Sequence, residues 1–99
     1  MPYARIAVYT FKPGQVDEVI RLAKEGMLPI FQRQPGYRRY HVIRTGDDSA
    51  ISMSSWETKQ VADAAVQKAA DWVKANVADK IATVQNYVGE VAFSDVASG

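Results

Sequence analysis

Cysteine is absent from this chain, and histidine occurs once, at position 41. The first absence removes disulfides, thiolate nucleophiles and zinc–thiolate centres; the second removes any multi-histidine metal site within one chain. A dominant charge is missing too. Lys and Arg number 12 against 11 Asp and Glu, and the basic residues are dispersed rather than gathered into a stripe, so no nucleic-acid partner is expected. No apolar run approaches the roughly 20 residues that cross a bilayer. The opening Met1-Pro2-Tyr3-Ala4-Arg5 lacks a signal peptide's basic segment followed by an apolar one. The expectation is a cytoplasmic protein with no membrane partner. Apolar residues make up 47% of 99, which supports one modest core and leaves a lone monomer marginal. No linker, low-complexity stretch or internal repeat interrupts the chain, so it reads as one domain, 1–99, with its core in 3–93 and a small-residue tail at 94–99 expected to fray.

What is present has clear periods. Tyr3 to Phe11 alternates, with Ile6 and Val8 on one side and Tyr3, Arg5, Ala7 and Tyr9 on the other, as a strand does. After the turn Lys12-Pro13-Gly14-Gln15, the apolar residues Val16, Val19, Ile20, Ala23, Met27, Ile30 and Phe31 recur at helical spacing. Asp17 and Glu18 fall in the first turn, where the helix dipole favours carboxylates. Gly26 and Pro29 inside this period predict a kink near Glu25 to Leu28 and a continuation to Arg33. Pro35 and Gly36 stop the helix. Tyr37 to Arg44 and Ala50 to Glu57 read as two strands joined by the turn Thr45-Gly46-Asp47-Asp48-Ser49. Thr58 is a good N-cap for a second helical region running to Ile81, with a break expected near Ala69 to Trp72. Val84 to Phe93 reads as the last strand, with Gly89 a candidate bulge.

The order strand, helix, two-stranded hairpin, helix, strand is the α+β, ferredoxin-like βαββαβ arrangement with an antiparallel four-stranded sheet. If Thr45 lies opposite Ala50, then Val42, Arg44, Ile51 and Met53 join Ile6 and Val8 on a core face beneath the helices. The same register places Arg39, His41, Ile43, Ser52, Ser54 and Trp56 with Tyr3, Arg5, Ala7 and Tyr9 on the opposite face. That second face is too aromatic for water, so a second copy of the chain is expected to cover it in a homodimer.

The turn Lys12-Pro13-Gly14, Leu28-Pro29 in the first helix, Gln34-Pro35-Gly36-Tyr37, and a strand ending Trp56-Glu57-Thr58 together resemble the antibiotic biosynthesis monooxygenase-like (ABM) domains of the dimeric α+β barrel superfamily. The resemblance spans roughly Tyr3 to Phe93. It implies a dimeric α+β barrel and a cofactor-independent monooxygenase acting on a small aromatic or quinol-like substrate, with no metal. It also sets Trp56 at the position of the tryptophan that lines the pocket in the antibiotic-pathway enzymes. Ser52 and Ala62 stand where those enzymes carry an asparagine and a tyrosine. Haem-degrading relatives use a first-strand asparagine and a second-helix histidine; neither region of this chain has one, so haem degradation is not expected.

The polar groups on the expected inner face supply the candidate chemistry. Histidine is the side-chain type suited to proton transfer near neutrality, so His41 could take a proton from a phenol, with Arg39 holding the resulting anion; these two are the expected catalytic pair. Trp56, Tyr9, Arg5, Ser52 and Ile43 are the expected substrate contacts. The alternative is a non-catalytic module whose cavity holds a small aromatic or lipophilic ligand. The serines near His41 lack any nucleophile-elbow pattern, so hydrolase chemistry is not expected.

Overall fold

A computed structural model describes residues 2–97; Met1 and the last two residues of the expected tail lie outside the described residues. Four strands, β1 (Tyr3–Phe11), β2 (Tyr37–Gly46), β3 (Ser49–Trp56) and β4 (Ile81–Glu90), form an antiparallel sheet in the order β2-β3-β1-β4. Three helices pack on one face: α1 (Val16–Leu22), α2 (Leu28–Gln32) and the long α3 (Lys59–Asn76). The chain has the ferredoxin-like βαββαβ order. No helix among the described residues is long and apolar enough to cross a membrane.

The local causes are those read from the sequence, with four adjustments. The expected kink is a π-helical turn, Ala23–Met27, joining α1 to α2 without a break. Pro29 has no N–H to give the Glu25 carbonyl, and its ring crowds that position; the wider turn accommodates both. Gly36 sits at φ +79°, the left-handed region that the exit into β2 requires. Thr58 caps α3, its hydroxyl accepting from the Val61 N–H at 3.2 Å. That helix then runs unbroken through Ala69 to Trp72. Ile81 begins β4 rather than ending a helix, and Gly89 pairs regularly with Ala4. The one irregularity between β1 and β4 falls at Thr10/Phe11.

The larger correction concerns which side of the sheet is the core. The alternation along β1 is as expected, but the helices cover the Arg5 side: Arg5 and Ala7 are buried, whereas Ile6 and Val8 are exposed. On β2 the hairpin register differs by one residue. Arg44, not Thr45, lies opposite Ala50, with an irregularity between Arg44 and Gly46. Because side chains alternate, a one-residue slip exchanges faces for the whole strand. Tyr40, Val42 and Arg44 therefore point to the helices, Arg44 ion-pairing with Asp17 of α1. Arg39, His41 and Ile43 share the uncovered face with Ile6, Val8, Ile51 and Met53.

The core beneath the helices has two clusters. One centres on Trp56 and Phe31, whose rings meet edge-on with centroids 5.2 Å apart, against Ala62, Ala65 and Ala69 of α3. The other gathers Phe11, Val16, Val19, Ala50 and Val77. The alanine stripe of α3 lets that helix approach the sheet closely, and the large rings of the sheet and α2 fill the remaining volume.

Candidate functional site

Between the two clusters lies a cavity of about 40 Å³. Its sheet side carries Arg5, Tyr9, Tyr40 and Ser52, placed there by the alternation of β1, β2 and β3. Its roof is apolar, formed by Ala23 and Met27 of the π-helical turn and by Trp72 and Val73 of α3. The turn and the α3 indole meet tightly. A methyl group at Gly26 would stand 2.7 Å from Trp72 Nε1, so glycine there lets the indole lie against the π turn.

Arg5 is the unusual member. It is 3% exposed, and none of the ion pairs among the described residues includes it. One guanidinium nitrogen, Nη2, donates to Asn86 Oδ1 at 3.0 Å and at longer range to the Tyr9 hydroxyl at 3.4 Å. Its Nε is buried with no partner. A buried charge is costly unless it is paired and hydrogen-bonded, and here the partners are an amide and a phenol, both neutral. Such a guanidinium has hydrogen-bonding capacity that an anion could use.

Tyr40 complements it. Burial pushes its phenol up to about 12, with Tyr9 adding to the shift and the nearby Arg5 and Ser52 opposing it. At neutral pH Tyr40 is therefore a neutral hydrogen-bond donor and not a base. No His, Asp or Glu lines the cavity. Among the described residues no group of three His, Asp or Glu side chains gathers at metal-holding distance either.

The expected site residues thus divide. Arg5, Tyr9 and Ser52 come together at the cavity. His41, Arg39 and Ile43 lie on the opposite side of the sheet, where Ile43 is 51% exposed and Arg39 borders a broad groove with Arg38, Met53 and Glu57. Trp56 is on the helix side but fully buried in the neighbouring cluster, its indole N–H donating to Ser54 Oγ at 2.9 Å, and it does not line the cavity. Three participants escaped sequence reasoning. Tyr40 was hidden by the register slip. Asn86 and Trp72 had no pattern distinguishing them from a strand polar residue and a core aromatic.

The fold and this cavity define an α+β domain with a small, partly polar recess between helices and sheet. The family model for antibiotic biosynthesis monooxygenase matches residues 2–75, and the chain belongs to that family. Among solved structures, a protein of unknown function from Nitrosomonas europaea superposes with a TM-score of 0.83 at 16% identity, covering 99% of this chain and 96% of that one. A monooxygenase from Streptomyces coelicolor, in complex with nanaomycin D, gives 0.77 at 12% identity over 97% and 92% of the two chains. A Mycobacterium tuberculosis protein gives 0.72 at 19% identity over 99% and 100%. At these identities the likeness is one of fold. No curated protein matches the sequence significantly.

Proposed function

We propose that this protein is a monooxygenase of small, ionisable aromatic compounds, quinol- or anthrone-like, bound in the helix–sheet cavity as anions on Arg5. The observation that carries this reading is the buried guanidinium with an unpartnered Nε and no carboxylate. Family membership supports the reaction class. With no base among the lining residues, the substrate proton leaves to water, and the oxyanion is favoured by the Arg5 charge. Tyr40, held protonated, donates a second hydrogen bond, and the apolar roof keeps water from competing for the oxyanion. The electron-rich ring then reacts with oxygen without an external reductant. In an anthrone, two C–H bonds of the ring methylene are replaced by C=O; in a hydroquinone, one ring C–H becomes C–OH while the diol becomes the quinone; in both, one oxygen atom enters the product and the other leaves as water. The four electrons come from the substrate ring, so the step balances with no cofactor.

Trp56 serves this site from outside, fixing the β3 backbone that presents Ser52. The whole chain acts as one domain. The uncovered face, with Ile6, Val8, Ile43 and Tyr87 exposed, is read as the homodimer surface; His41 and Arg39 belong to that surface and not to the cavity. Oxygen consumption with a panel of hydroquinones and anthrones, run with labelled oxygen, tests the reaction. One labelled atom in the product per oxygen consumed, in the new carbonyl of an anthrone or the new hydroxyl of a hydroquinone, supports it. Tight binding with a flat oxygen trace across the panel makes the protein a non-catalytic binding module, a reading favoured by the cavity's lack of a base.

A further inference from the structure

The 40 Å³ cavity is far below the roughly 300–1,000 Å³ of ordinary ligand pockets. That volume is too small for an aromatic ring. A second recess lies on the far side of Arg5. The cleft between α3 and β4 has a volume of about 240 Å³ and is bordered by Val66, Ala70 and Lys74 of α3 and by Val84 and Asn86 of β4. Arg5, Tyr9 and Val73 line both spaces. They are the wall between them.

We infer that the α3–β4 cleft is the entrance to the cavity, that Arg5 is its movable floor, and that the pair admits small aromatic anions. This rests on the cavity being the binding site. Three features support it. Arg5 is the long, flexible member of the wall, held across it by one good hydrogen bond to a neutral amide, so an anion can draw the guanidinium away from Asn86 with little opposition. The cleft carries two cationic side chains, Arg5 at its floor and Lys74 at its rim, and no Asp or Glu borders it. Apart from Tyr9 and Asn86 its walls are otherwise aliphatic, with Val84 46% exposed though it faces the helix side. Moving Arg5 joins the two spaces, and their combined volume approaches the low end of the ordinary range. A flat, mostly apolar ring with one acidic oxygen matches that lining.

Stopped-flow binding of a coloured dihydroxyanthraquinone to the full chain tests the entrance. Ala70→Trp, which fills the cleft without touching the cavity, is expected to slow association and dissociation alike by tenfold or more, with Kd within about twofold. Lys74→Glu, a surface change that spares the fold, is expected to slow association several-fold and to flatten its salt dependence. Asn86→Asp replaces the neutral partner of Arg5 with a carboxylate, locking the floor and lowering affinity at least tenfold. If the wild-type protein binds but Ala70→Trp and Lys74→Glu leave both rates unchanged, the entrance lies elsewhere and the cavity assignment stands. Unchanged affinity in Asn86→Asp overturns the role of Arg5 as floor. No binding by the wild-type protein overturns both readings.

Discussion

At the scale of single residues, the polar members of the core face decide what the site can do. Tyr40 shows this through its titration. Its phenol is raised from 10.0 to about 12 in the folded protein, burial being the main cause. A raised acid pKa favours the protonated form in the native state. The stabilisation is fully present below about pH 10 and is lost as pH climbs through the folded value. Alkaline unfolding of the protein is therefore expected to show a loss of roughly 2–3 kcal/mol between about pH 10 and 12. Tyr40→Phe should remove that portion of the pH profile, as read by urea denaturation at stepped pH. A profile unchanged in Tyr40→Phe would mean that the phenol is solvated in the native state. The same residue explains a limit of sequence reading. Arg5, Tyr9 and Ser52 were legible as a shared constellation because they lie on strands whose alternation is unambiguous. Tyr40 was not, since its face depends on a hairpin register that propensity does not fix.

At the scale of elements, the strand and helix order, the bounds of β1, the Thr58 cap and the Pro35-Gly36 exit could all be read from periods and turn chemistry. The choice of face could not. Ile6 and Val8 look more like core than Arg5 and Tyr9 do, and burial of the more aliphatic side is the natural expectation. The helices instead cover the side with polar groups, because Trp56, Phe11 and the small Ala7 and Ala50 give α1, α2 and α3 a surface to pack on. The π-helical turn is where this packing is tightest. Gly26→Ala gains up to about 1 kcal/mol of helix propensity. It also forces the Trp72 indole away from a 2.7 Å contact, at a cost of about 1–3 kcal/mol for overpacking. A net loss of up to about 2 kcal/mol is expected by denaturant titration, together with altered ligand affinity, since Trp72 roofs the cavity. Increased stability would show that the indole moves aside freely.

At the scale of the whole molecule, the sheet has two unlike faces. One holds the cavity beneath the helices. The other leaves Ile6, Val8, Ile43 and Tyr87 exposed, a contiguous apolar surface that a soluble monomer rarely presents. Val8→Asp is therefore expected to give a folded monomer of about 11 kDa by sedimentation, in place of a dimer of twice that mass. Global unfolding by Val8→Asp, judged by lost circular dichroism, would place Val8 in the monomer's own core. The cavity face is predicted to respond in the opposite way. Arg5→Met removes a buried charge that no carboxylate pairs and keeps most of the side-chain volume, so the fold is expected to stay intact. Sedimentation velocity of Arg5→Met with a coloured dihydroxyanthraquinone, followed at the dye's absorbance and at 280 nm, reads both faces in one run. The expected result is an intact dimer with the dye left unsedimented, where the wild-type protein carries it; dye that still travels with Arg5→Met at wild-type occupancy would contradict the assignment of Arg5 as the anion site.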